Sequence, residues 1–243
     1  MATVTTFVVD EADVEPVRED GDTASVRVTF DASNGSEHLE QRIVRFGAGR
    51  SRERKLDGLQ EVLFVVAGRG GLAVDGRRHE LEPETAAFVA SGETYSVENP
   101  GPGDLLVVSV AAPAGHNKPD VHERKVTVRL ADQPEQPASS ERTFRYLVDE
   151  SAGCFEVTQF VGTVQPSKAP MHSHPYDELG YVLDGEGIAH VGGRSTPLRP
   201  GSCFHLPPNE VHCIENTGAS VMRIVGVFHP SGSPASREYE DNK

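Results

Sequence analysis

Glu61-Val-Leu-Phe-Val-Val-Ala-Gly68 and Glu178-Leu-Gly-Tyr-Val-Leu-Asp-Gly185 are one pattern written twice. Each opens on a glutamate, runs through β-branched, aromatic and aliphatic residues, and stops on a glycine. That is the pattern of a short buried strand closed by a turn. The spacing of 117 residues recurs in Gly76/Gly193, Leu81/Leu198, Pro83/Pro200 and Asn99/Asn216. Self-similarity at a fixed period means that one structural unit occurs twice. Upstream, Asp31-Ala-Ser-Asn-Gly35 matches Asp149-Glu-Ser-Ala-Gly153 after a slip of one residue.

Working outward, 24 glycines and 17 prolines punctuate other short apolar runs along the whole chain, such as Leu105 to Val110 and Val221 to Phe228. Short strands at close intervals with turn residues between them predict an all-β sandwich or barrel. No convincing amphipathic helix interrupts them. The repeat predicts two units, residues 1–117 and 118–243, with Ala114 to Arg142 read as an exposed connector plus the entry arm of the second unit.

The 243 residues carry 23 Lys and Arg against 37 Asp and Glu, a formal net charge of −14. A surface that negative repels phosphate backbones, so nucleic acid is not the expected partner. No apolar run approaches the roughly 20 residues a bilayer requires, and an acidic rather than basic start argues against a secretory leader. Neither a membrane partner nor export is expected. Cys154, Cys203 and Cys213 are few and in no CxxC spacing, which suits a reducing compartment. The cytoplasm is the expected location.

The chemistry concentrates in His172-Ser-His174-Pro-Tyr-Asp-Glu178, followed by Pro207-Pro-Asn-Glu-Val-His212. In extended chain, residues of equal parity share a face, which would point His172, His174 and Glu178 the same way. His212 from a neighbouring strand would complete a set of three imidazoles and one carboxylate. Such a set suits one divalent transition metal: Fe, Mn, Ni, Co, Cu or Zn. Gly180, two residues beyond Glu178, suggests room beside the metal. Tyr176, Asp177, His190, His205 and His229 are candidates for orienting the ligands. The bland alternative is that each of these histidines is an ordinary surface or core residue. Four ligand-type residues at these spacings weigh against it.

The pattern His172-x-His174-x-x-x-Glu178-x₆-Gly185 resembles the first motif of the cupin family. Gly201-x₅-Pro207-x-Asn209-x-x-His212-x-x-x-Asn216 resembles its second motif, with Asn209 where the family usually has glycine. Asparagine tolerates the left-handed backbone that such a turn can require. The resemblance implies two tandem double-stranded β-helix (jelly-roll, cupin) barrels, and one metal held by His172, His174, Glu178 and His212 inside the second. A homodimer is compatible with it.

Shifting these four positions by 117 gives Lys55, Asp57, Glu61 and Tyr95, so only the glutamate recurs. A cation at the first ligand position would repel a metal. The first barrel is therefore expected to be metal-free, with Lys55, Asp57 and Glu61 in an ion pair or triad and Tyr95 hydrogen-bonded to it. An organic-ligand site built on Lys55 and Tyr95 is the minor reading.

These observations read as a metal-dependent enzyme acting on a small oxygenated organic substrate, first an Fe(II) or Mn(II) dioxygenase or an isomerase. Glu178 would serve as ligand and as general base. A non-catalytic binder or sensor of small molecules is the alternative reading.

Overall fold

The computed structural model describes residues 6–115 and 124–236 and the backbone of 238–239. The expected boundary between 117 and 118 lies outside the described residues. The chain is all-β; among the described residues the helical content is three single 3₁₀ turns, and no helix is long and apolar enough to cross a membrane.

The central strands are apolar at both parities, which means that both of their faces are covered. In Leu59–Ala67, Val62 and Phe64 point one way and Leu63 and Val65 the other, and all four are buried. Leu63 and Val65 pack with Leu72, Val97 and Val107 inside a first barrel. Val62 and Phe64 join Phe30, Ile43 and Val108 against Leu147, Val161, Leu179 and Val225 of the other half. The strand Asp177–Asp184 repeats the arrangement. Leu179 and Tyr181 enter this shared core, while Val182 packs with Phe204, Leu206 and Ile214 inside a second barrel.

Each barrel is a seven-stranded sheet facing a five-stranded one. The first large sheet runs in the order Thr127–Arg129, Thr85–Val89, Leu59–Ala67, Leu105–Pro113, Glu40–Phe46, Ala24–Phe30 and Val17–Arg18. The second runs Val8–Asp10, Ser202–Leu206, Asp177–Asp184, Met222–His229, Thr158–Val164, Arg142–Val148 and Gln136–Ser139. The outermost strands are exchanged. Val8–Asp10, which precedes the first barrel, pairs with Ser202–Leu206 of the second, and Thr127–Arg129, which precedes the second, pairs with Thr85–Val89 of the first. Residues 127–129 are thus part of a sheet, with Val128 buried, and not the exposed connector the composition suggested. The swap covers two sheet edges that would otherwise present unpaired backbone groups.

The repeated landmarks have local reasons. Gly68 and Gly185 both take φ +86, and a Cβ at either would lie 2.6 Å from the backbone of Asp104 or Met222. Only glycine fits there. Asn99 and Asn216 are buried clamps. Asn99 Nδ2 donates to the carbonyls of Phe46 and Gly103, both at 2.8 Å, and its Oδ1 accepts from the Gly101 amide at 2.8 Å. Asn216 repeats this with Val164, Ser220 and Gly218 at 2.8, 2.8 and 2.9 Å.

Two outcomes are expected. Asn216→Ala leaves buried carbonyls unpaired and should lower unfolding stability by about 1–3 kcal/mol in urea titrations, with Asn99→Ala similar. Expressed separately, residues 1–117 and 118–243 each lose an edge strand and expose the shared core. Neither should show a cooperative thermal transition, whereas the full chain should.

Candidate metal centre in the second barrel

Alternation along Asp177–Asp184 turns Glu178 into the second barrel, opposite to Leu179. His172 lies on His172–Ser173 and His212 on His212–Asn216, and the two are directly paired across the five-stranded sheet. His174 sits in the bend between the sheets. The four side chains therefore converge from two facing sheets and the link between them; parity alone places His172, His174 and Glu178 on one extended stretch, with His212 from a neighbouring strand as found. Asn209 takes φ +61 in the turn leading to His212, and its amide donates to the His174 carbonyl at 2.8 Å.

All four residues are buried and line one cavity of about 60 Å³. The ligand-type atoms of His174, Glu178 and His212 lie within 4.8 Å of one another. His172 adjoins them, its ring centroid 4.6 Å from that of His212, but outside that tight group.

The imidazole tautomers follow from their partners. Nδ1 of His172 faces the Pro170 carbonyl at 3.1 Å, Nδ1 of His174 the Tyr176 carbonyl at 2.9 Å, and Nδ1 of His212 the Glu210 carbonyl at 2.8 Å. A carbonyl only accepts, so each Nδ1 must carry the proton. In a neutral ring, Nε2 then presents a lone pair. His174 Nε2 stands 3.0 Å from Glu178 Oε2, so a neutral His174 would set two acceptors against each other. A cation removes that conflict, and the set of imidazole and carboxylate donors fits a divalent transition metal. Burial holds His212 neutral by pushing its pKa down to about 4, which suits a ligand.

The surroundings correct several expectations. Gly180 makes no room, because a Cβ there would lie 2.0 Å from the ring of the fully buried Phe204, which occupies that space. Asp177 and His205 hydrogen-bond to each other at 2.6 Å, with the His205 ring against Phe30 of the first barrel, and neither lines the cavity. His190 pairs with Glu215 at 2.7 Å, and His229 donates to the Glu156 carbonyl. Of the five orienting candidates only Tyr176 acts at the cluster: its carbonyl fixes His174, and its ring stacks on that imidazole at 4.4 Å. Its hydroxyl donates to Ser233 at 2.6 Å, and burial pushes its pKa up to about 12. The tail is thereby tied over the cavity mouth, where Glu238–Tyr239 pairs with His172–Ser173.

Sequence reasoning missed the cavity walls. Phe144, Phe160 and Phe228 make them apolar, and Arg142 adds a cation. These residues lie on strands outside both histidine motifs, with no spacing signal linking them to the site.

The Cupin domain model matches residues 42–111 and 160–228, more than half of the chain. The chain belongs to the cupin family. It is a bicupin, one cupin unit in each half. Among curated proteins, this bicupin is 34% identical over 63 residues to an oxalate-binding protein of Thermotoga maritima, covering 26% of this chain and 52% of that protein. It is 35% identical over 77 residues to an auxin-binding protein of Nicotiana tabacum, covering 27% and 41% respectively. The chain thus spans about half or less of these relatives. Among solved structures it superposes on a mutant of Bacillus subtilis oxalate decarboxylase with TM-score 0.77 at 16% identity, over 99% of this chain and 81% of that one. A Pseudomonas aeruginosa protein described as glyoxylate-induced matches with TM-score 0.77 at 18% identity, over 93% and 91%. At these identities the superpositions establish the shared fold.

The first barrel lacks the imidazole cluster. Lys55 and Asp57 pair with each other at 3.1 Å and are exposed, apart from Glu61 rather than in a triad with it. Tyr95 does donate to Glu61, at 2.6 Å. Strand register also revises the expected equivalence. Arg54 pairs with Tyr95 as His172 pairs with His212, so Arg54 rather than Lys55 occupies the first ligand position.

The lowered pKa of His212 sets a sign for pH dependence. The unfolded chain, with His212 near its ordinary 6.5, binds more protons than the folded chain between that value and about 4. This contribution to stability is complete above pH 6.5 and declines as pH falls toward 4. Chelator-treated protein should therefore lose urea resistance over that interval, and His212→Asn should flatten the decline.

Proposed function

We propose that this bicupin is a metal-dependent enzyme whose second barrel holds one iron or manganese ion and acts on a small carboxylate. The ligands would be His174, Glu178 and His212, with His172 completing the set. The observation that carries this reading is the convergence of three buried ligand-type side chains, His174, Glu178 and His212, whose donor atoms lie within 4.8 Å of one another. Such an ion would supply Lewis acidity and a binding site for oxygen, which serves dioxygenase, isomerase or decarboxylase chemistry.

Size and charge narrow the substrate. A cavity of about 60 Å³ holds only a few non-hydrogen atoms. Arg142 on its wall favours an anion, while Phe144, Phe160 and Phe228 exclude water. A two- or three-carbon acid of the oxalate or glyoxylate kind meets both conditions. Oxalate also appears in the names of a sequence relative and a structural neighbour. Glu178 is the sole carboxylate in the cluster and, when released from the ion, would be the base that takes a proton from substrate. Tyr176 holds the tail closed over the bound molecule.

Elemental analysis of protein purified without chelator tests this. About one iron or manganese per chain is expected. It should be lost in His174→Ala and kept in Asp57→Ala. Absence of metal from the native protein, or equal loss in both variants, would refute a single site in the second barrel. Turnover of oxalate or glyoxylate should vanish in Glu178→Gln, and binding of either acid without turnover would assign a carrier or sensor instead.

A further inference from the structure

The strand register matches the inner faces of the two barrels residue for residue. Phe144 stands opposite Gly162 in the second barrel, where the first has Val26 opposite Val44. Phe160 stands opposite Gly226, where the first has Arg42 opposite Ser109. Phe228 beside Glu178 corresponds to Ala111 beside Glu61. Three rings that fill the second barrel are thus replaced by smaller or polar side chains. The first barrel contains a cavity of about 660 Å³, within the roughly 300–1,000 Å³ of small-molecule sites.

Its lining joins the apolar Val26, Val44, Phe46, Leu63 and Val107 to the exposed charges of Glu19, Glu53, Arg52 and Lys55, and includes Val17 and Val28, two of the exposed large apolar side chains among the described residues. Its polar floor is already organised. Glu61 accepts from Tyr95 on one carboxylate oxygen and from Ser109 on the other. Arg54 spends its amino groups on Asp22, Ser51 and the Arg52 carbonyl. Arg42 differs. Its Nε donates to Glu40 at 2.5 Å, while its terminal amino groups make no hydrogen bond among the described residues. The charge of Arg42 is nevertheless countered: burial would lower its pKa, and the carboxylates of Glu61 and Glu40 outweigh that and raise it. An incoming anion would meet those two carboxylates. A neutral acceptor would take the open N–H groups without that repulsion.

We propose that the first barrel binds a small neutral molecule with an apolar body and a carbonyl oxygen, the oxygen accepting from the terminal amino groups of Arg42. The apolar body lies against Val26, Val44 and Val107, and Tyr95 and Ser109 keep Glu61 from competing for the same donors. The site is separate from the metal centre and independent of its chemistry.

The test uses the full chain and the neutral solvatochromic naphthyl ketone prodan. Prodan should bind saturably with blue-shifted emission. Binding should weaken roughly tenfold or more in Arg42→Leu, which removes the donors. It should also be lost in Val26→Phe, which restores the ring that fills the other barrel, and be kept in His174→Ala. Unfolding temperatures and metal content show that the two first-barrel variants stay folded. The anionic probe anilinonaphthalene sulfonate should bind more weakly than prodan and fail to displace it. Absence of saturable prodan binding, indifference to both first-barrel variants, or tighter binding of the sulfonate would each overturn the proposal.

Discussion

A carboxylate buried inside a β-barrel has to be compensated, because water cannot reach it and its charge is costly in a medium of low dielectric. This bicupin solves the problem twice with the same backbone. Glu61 and Glu178 occupy equivalent places on equivalent strands, 2% and 6% exposed. Around Glu61 the compensation is a hydroxyl on each oxygen and a guanidinium nearby. Around Glu178 stand imidazoles instead, whose Nδ1 atoms face backbone carbonyls. Hydroxyls and a guanidinium satisfy the carboxylate by themselves. Imidazoles beside the carboxylate form instead a donor set of the kind that suits a divalent cation. The same glutamate is thus locked into the protein in one barrel and available to a ligand in the other.

What surrounds each glutamate also decides the volume beside it. In the second barrel the ring of Phe160 packs over Gly226 and Gly162, with the rings of Phe144 and Phe228 against it, leaving a small space around the histidines. Removing those rings in the first barrel opens a volume about ten times larger while the strands keep their register. Cavity size is therefore set by a few inward side chains rather than by strand number or barrel geometry. Divergence after duplication can change what a barrel holds without disturbing the sheet that carries it.

The shared core makes the two barrels one mechanical body. Strands of both large sheets are apolar on both faces, and the exchanged edge strands Val8–Asp10 and Thr127–Arg129 fasten each half to the other. The buried pair of His205 and Asp177 lies on this seam, against Phe30. The cluster of His174, Glu178 and His212 is thus anchored by a strand whose opposite face is part of the interface. Burial on that side limits the movement of Glu178 and leaves the tail, tied by Tyr176, as the cover of the cavity.

The sequence by itself determined the duplication, the all-β class and the residues of the second-barrel cluster. Strand periodicity, glycine turns and ligand spacing are local properties, and they are written within a few residues of one another. It also determined that the first half has no histidine at the positions equivalent to His172, His174 and His212. Only the tertiary structure decided that His172 stands beside the tight group rather than within it, that Arg54 rather than Lys55 takes its place in the first half, and that the edge strands are exchanged. It also decided that Phe204 fills the space beside Gly180. The one-residue slip upstream of both motifs changes which side chain faces inward, and a slip of one residue in a strand reverses its faces. That register, like the packing of rings from strands remote in sequence, is fixed by cross-strand hydrogen bonds and by volume, and neither is encoded in the spacing of a single segment.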